Sequence, residues 1–167
     1  FYSRKSTTYN KLAKKYLNLD PRYIFSNSGF NLRPTDIQAA IAHNQFKRLE
    51  NLKKVRDKNR NLIINKLINS VHWKDQFKFI EPVKNLDPSW MGLPILFNKK
   101  YLNKKKKFLD HLSKCGVENR PILSGNFTNQ PATKLYNLNS KKLVFVNAQK
   151  VEDLGFFIGL HTKKISN

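Results

Sequence analysis

Pro34-Thr35-Asp36-Ile37-Gln38 opens the longest regular element that the sequence specifies. Thr35 and Gln38 have the spacing of a capping box, in which the threonine hydroxyl accepts from the Gln38 amide while the glutamine side chain reaches back. Pro34 fixes the direction from which the chain arrives, and Asp36 suits the positive end of the helix dipole. Apolar residues then recur at Ile37, Ala40, Ile41, Leu49, Leu52, Val55, Leu62, Ile63 and Leu67, a 3.6-residue period, and neither Gly nor Pro interrupts from Thr35 to Glu81. A single straight helix of about 35 residues would be about 50 Å long. Two helices in line, or one kinked helix, are therefore expected, and such an element bridges subdomains.

Working outward, residues 1–33 are polar and Tyr-rich, with a short helix expected at Tyr9 to Leu17, a turn at Asp20-Pro21, and a strand followed by a loop over residues 23–32. Beyond residue 73 the pattern changes to short strands at Phe77 to Ile80 and Trp90 to Phe97, the second held to an edge or a bulge by Pro94. A helix at Tyr101 to Lys114 places Leu102, Leu109, Leu112 and Cys115 on one face and ends at Gly116. A strand at Val117 to Ile122, a loop at Ser124 to Thr128 and a helix near Ala132 to Tyr136 follow. A helix capped by Asn147 and running to Leu154, and a strand at Phe156 to Leu160, complete the pattern. Three or four strands with helices outside them make a small α+β layer.

The chain has 167 residues and a formal charge of +21, with 40% apolar residues, enough to bury a core. The charge invites a nucleic-acid partner. Its make-up argues otherwise, because Lys supplies most of the cations in a Lys/Asn/Ile-heavy composition, aromatics do not interleave with bases, and the run Lys104 to Lys107 sits where a helix would hold its solvated face. A small basic nucleic-acid-binding module stands as the rival reading from another class. No apolar run has the length of a membrane span, and the single Cys115 excludes an internal disulfide. The sole methionine is Met91, so the chain is expected to be a fragment; a cytoplasmic location is expected.

None of the self-contained catalytic signatures is present, and His43, His72, His111 and His161 lack metal-ligand spacing, so no metal site is expected. Three loops are richer: Ser28 to Arg33, Asn119-Arg120-Pro121 and Ser124 to Gln130 combine Gly or Pro with amide and guanidinium groups, the donors an oxygen-rich anionic ligand needs. The same residues also serve in ordinary turns. Arg33 and Arg120 both precede proline, which favours an extended backbone beneath a bidentate donor, and His161 follows an apolar strand.

At these loops the sequence resembles a known family. The segments Gly29-Phe30-Asn31-Leu32-Arg33-Pro34-Thr35-Asp36-Ile37-Gln38-Ala39-Ala40, Gln45 to Leu49, Pro88 to Pro94, Gly116 to Thr128 and Gly155 to His161 are similar, in order, to motifs of the DegT/DnrJ/EryC1/StrS sugar aminotransferases. The last two look most like the branch with lipopolysaccharide-sugar aminotransferases and 4-keto-6-deoxy-sugar 3-dehydratases. The resemblance implies an α/β fold of the type I pyridoxal-phosphate transferase class. Residues 1–33 would be the tail of the large cofactor domain, 34–70 the connecting helix, and 71–167 a small C-terminal α+β domain with a short sheet, cut short at its end.

The implied activity is pyridoxal 5'-phosphate-dependent amino transfer from an amino acid to a nucleotide-linked keto-sugar in surface polysaccharide synthesis, or 3-dehydration of such a sugar, by a homodimer. The cofactor lysine, or the histidine replacing it in the dehydratases, would lie upstream, so no catalytic residue is expected among residues 1–167 and this stretch alone is expected to be inactive. Asn31 would reach the cofactor phosphate of the neighbouring subunit. Arg33, Arg120, Asn126 and His161 would line the side where the nucleotide sugar enters. Phe30 stands where the family has Tyr, which removes a hydroxyl.

Overall fold

The computed structural model describes residues 7–25, 35–138 and 143–165, which gather into two compact units. The described parts of Asn31–Arg120 and Phe156–Asn167 form one, and those of Phe1–Phe30 and Pro121–Gly155 the other.

The first unit begins at the capping box. Thr35 Oγ1 accepts from the Gln38 amide at 3.4 Å and Gln38 Oε1 accepts from the Thr35 N–H at 2.8 Å. The helix it opens, α2 (Asp36–Phe46), gives way at Lys47-Arg48 to α3 (Leu49–Ile68), so the element is two helices rather than one. The periodic apolar face is not core along its whole length. Ile37, Ile41 and Phe46 are exposed and α2 buries nothing among the described residues, whereas α3 buries Val55, Asn59 and Arg60.

Among the described residues four short strands follow, β1 (Phe77–Phe79), β2 (Gly92–Phe97), β3 (Asn119–Arg120) and β4 (Gly155–Gly159), in the order β1-β2-β4-β3. β1 runs antiparallel to β2 from Phe77↔Phe97 to Phe79↔Ile95. The edge position expected from Pro94 is overturned, because β2 lies between β1 and β4. The proline is tolerated there on the β1 side because that register stops at Ile95, so no ladder bond is lost. β3 pairs antiparallel with β4, Asn119↔Ile158 and Arg120↔Phe157. The longer strand expected over residues 117–122 is reduced to two residues, and Pro121, which has no N–H, follows immediately.

Along β2 the alternation of a strand is plain: Leu93, Ile95 and Phe97 are buried while the residues between them are half-buried. Phe97 meets Phe77, Phe108 and Phe156 with ring centroids 5.0, 5.5 and 5.3 Å away, in the tilted and edge-on arrangements aromatic quadrupoles favour. Phe108 comes from α4 (Lys105–Lys114). The face expected for this helix needs correction, since Leu102 and Cys115 are exposed, Leu102 lies in a preceding 3-10 turn (Lys99–Lys104), and Phe108 is the residue that reaches the cluster. Its end is as expected: Gly116 has φ +78°, and the Gly116 and Val117 amides donate to Ser113 and Leu112, the double bond of a Schellman motif. The Asn119 amide, buried, donates to the Leu109 carbonyl and to Ser113 Oγ, tying β3 to α4.

Arg60 is an interior cation. Its guanidinium stacks 4.7 Å over Trp90, donates to the Ile80 carbonyl at 2.9 Å and pairs with Glu81 at 2.9 Å.

In the second unit α1 (Thr7–Lys15) leads to a 3-10 turn at Pro21–Tyr23. The strand expected to begin at Tyr23 is absent as far as Phe25, and its remainder lies outside the described residues. Instead, Phe25 is held like a strand residue by a distant segment: its N–H donates to Gln130 Oε1 at 2.9 Å and its carbonyl accepts from the Ala132 amide at 2.8 Å. Gln130 is 1% exposed and sits just before α5 (Pro131–Leu135). The last helix, α6 (Val146–Leu154), is preceded by Phe145 at the cap position with no side-chain cap bond. Asn147, expected as the cap, is the second residue of the helix, and the first turn is closed by the Gln149 amide donating to the Phe145 carbonyl.

Candidate substrate-binding loops

Of the five residues expected at a ligand, Asn31 and Arg33 lie outside the described residues. Arg120 and His161 are both carried by the β3–β4 pair, Arg120 opposite Phe157 and His161 just beyond the end of β4. Asn126 belongs to the other unit.

Arg120 is half exposed at its side chain and forks onto one carboxylate oxygen of Glu118, with Nε at 2.8 Å and Nη2 at 2.5 Å. The extended backbone expected ahead of Pro121 is the strand β3 itself. His161 is exposed, and its Nδ1 accepts the backbone N–H of Lys163 at 2.9 Å. A ring nitrogen that accepts carries no proton, so the neutral imidazole bears its hydrogen on Nε2.

Asn126 is buried, at 6% exposure, and works inward. Its Oδ1 accepts from the Thr128 hydroxyl at 2.7 Å and the Thr128 amide at 3.2 Å, an Asx turn, while its Nδ2 donates to Gln149 Oε1 at 3.0 Å. The Asn126 backbone N–H donates to Glu152 Oε2 at 2.9 Å, and Asn129 Nδ2 reaches both Gln149 and Glu152 at 2.9 and 2.8 Å. The loop from Ser124 to Gln130 is therefore shaped by two side chains of α6 that local sequence patterns do not single out. Glu152→Ala removes two charge-assisted acceptors and is expected to lower stability by about 2–3 kcal/mol. It should also speed hydrogen exchange at the Asn126 amide; exchange as slow as in the wild type would show that other groups hold the loop.

Lysines suited to a Schiff base are desolvated and easily deprotonated. Among the described residues none of the lysines is buried, and Lys53 is held above its ordinary value, foremost by its hydrogen bond to Asp87. No group of three or more metal-ligating side chains comes together among the described residues.

A unit with a small α+β layer, a capped two-part helix before it and a strand ending at Arg120, and a second unit with a Gly-Asn-x-Thr loop, have relatives. Residues 5–163 match the DegT/DnrJ/EryC1/StrS aminotransferase family, and the chain belongs to that family. It is 29% identical over 134 residues to a GDP-4-keto-6-deoxy-D-mannose 3-dehydratase of Escherichia coli O55:H7, covering 80% of this chain and 33% of the relative. It is 27% identical over 145 residues to the lipopolysaccharide biosynthesis protein RfbH of Salmonella typhimurium, with 85% and 32% covered. Among solved structures, that of the E. coli GDP-4-keto-6-deoxy-D-mannose-3-dehydratase with bound hydrated PLP is similar, with a TM-score of 0.60, 26% identity, and 87% of this chain and 36% of that chain covered. The chain spans about a third of the length of the curated relatives it matches.

Proposed function

We infer that this chain is part of a pyridoxal-phosphate-dependent aminotransferase that acts on nucleotide-linked keto-sugars in surface polysaccharide synthesis, working as a homodimer. The family match over residues 5–163 is the observation that carries this reading. On it, Arg120 and Arg33 meet the substrate's anionic oxygens, His161 offers an N–H, Asn126 gives the Ser124–Gln130 loop on the substrate side its shape, and Asn31 reaches the cofactor phosphate of the neighbouring subunit. The cofactor supplies the electron sink and is held mainly by the rest of the large domain. The division into a large-domain tail (1–33), connecting helix (34–70) and small domain (71–167) belongs to the same proposal, as does a cytoplasmic location. No helix among the described residues is long and apolar enough to cross a membrane.

A second reading, 3-dehydration of a 4-keto-6-deoxy sugar, is favoured by the name of the E. coli relative. One experiment separates the two. The full-length protein is incubated with a nucleotide-linked 4-keto-6-deoxyhexose and glutamate. An amino sugar with stoichiometric 2-oxoglutarate establishes transfer, a sugar that has lost its 3-hydroxyl establishes dehydration, and absence of both together with no cofactor absorbance overturns the reading.

A further inference from the structure

Asn59 lies in the middle of α3, 2% exposed, where an amide is costly unless every one of its polar atoms is paired. All of them are. Nδ2 donates to the carbonyls of His161 and Lys163 at 2.9 and 2.8 Å, and Oδ1 accepts the Ile165 N–H at 3.1 Å. One side chain thus fixes three backbone groups of an exposed segment more than 100 residues away in sequence.

The three bonds bracket the contact that sets the chemistry of His161. Holding the His161 and Lys163 carbonyls on the two hydrogens of a single nitrogen folds residues 161–163 into a tight bend, and that bend brings the Lys163 N–H to His161 Nδ1 at 2.9 Å. The bend leaves Nε2–H as the hydrogen the ring can offer to a ligand. No other standard side chain of this size can make the set: Asp lacks both donors and would face two carbonyls with a carboxylate, while Leu has neither donor nor acceptor.

We propose that Asn59 is a positioning residue, which presents His161 to the nucleotide-sugar substrate as a fixed Nε2–H donor. This rests on the placement of His161 at the substrate given above. It assigns to α3 a part in substrate binding that its sequence does not announce.

The test uses the full-length protein with 15N-labelled histidine, the His161 resonances being assigned by their loss in His161→Gln. At a pH where the imidazole is neutral, the wild-type ring is expected to show a protonated Nε2 and a hydrogen-bonded, unprotonated Nδ1. In Asn59→Ala the Nδ1 bond should be lost and the Lys163 and Ile165 amides should exchange rapidly. The Michaelis constant for the nucleotide sugar should rise about tenfold, with kcat changed less than twofold, the pattern of a lost hydrogen bond made equally in ground and transition states. Asn59→Ser, which keeps one donor and one acceptor, should fall between, and it serves where the alanine variant does not fold. A wild-type ring protonated on Nδ1, or a ring unchanged in both variants, overturns the proposal. A ring that changes while the Michaelis constant stays constant overturns its substrate half and with it the placement of His161. A wild-type protein without turnover on any nucleotide sugar sinks the functional reading instead, and leaves the spectrum to report on the Asn59 contact separately.

Discussion

Gly125→Ala should destabilise this chain by about 2–5 kcal/mol, read as a fall in the urea midpoint at unchanged slope. Two effects add. Gly125 has φ +60°, a left-handed conformation that costs a residue with a Cβ about 1–2 kcal/mol. A Cβ built there would also lie 2.7 Å from Glu152 Cα and 2.5 Å from its Cβ, so the added methyl meets the backbone of α6 rather than a flexible side-chain end, and α6 or the loop must move, at about 1–3 kcal/mol. Gly116→Ala separates the two contributions. Gly116 has φ +78° but nothing within 4 Å of an added Cβ, so only the dihedral cost applies. If both variants lose the same stability, the close packing of the loop on α6 has no energetic weight.

The second large effect is expected at Phe156. This side chain is 1% exposed, among the largest that are fully buried, and its ring lies 5.3, 6.0 and 6.1 Å from those of Phe97, Phe108 and Phe77. Truncation to alanine removes the transfer free energy of the ring and leaves a void bounded by three other rings, about 3–5 kcal/mol together. Phe127, paired with Phe25 at 5.8 Å but 44% exposed, has less to lose, and Phe127→Ala should cost well under half as much. Comparable losses from the two substitutions, measured by equilibrium unfolding, would mean that the aromatic cluster does not anchor the sheet.

The elements most legible in the sequence are those whose signal is local. The capping box at Thr35 and Gln38 needs only four residues to be recognised, and Gly116 marks a helix end because a left-handed residue there has few alternatives. The candidate site is legible as loops rather than as contacts. Arg120 lies on an extended backbone because Pro121 follows it, which is again a local rule. What local pattern could not reveal was which polar side chains face inward. Asn126, Asn59 and Gln130 look like turn, helix-surface and loop residues, yet their bonds reach Gln149 23 residues away, His161 102 away and Phe25 105 away. Pro94 misled for a related reason: whether a strand proline must sit at an edge depends on where the neighbouring strand stops, which is a property of β1.

The bond between Phe25 and Gln130 bears on how the chain is made as well as on how it stands. The unit containing it is assembled from two stretches, and the intervening one belongs to the other unit. Synthesis proceeds at about 5–20 residues per second, so Phe25 leaves the peptidyl-transferase centre about 5–20 s before the glutamine that will satisfy its N–H is even polymerised. Throughout that interval the other unit can complete only the portion up to Arg120, because Phe156 and the rest of β4 arrive later still. Both units therefore wait on residues beyond Arg120, and a ribosome that stalls before residue 130 leaves each of them open.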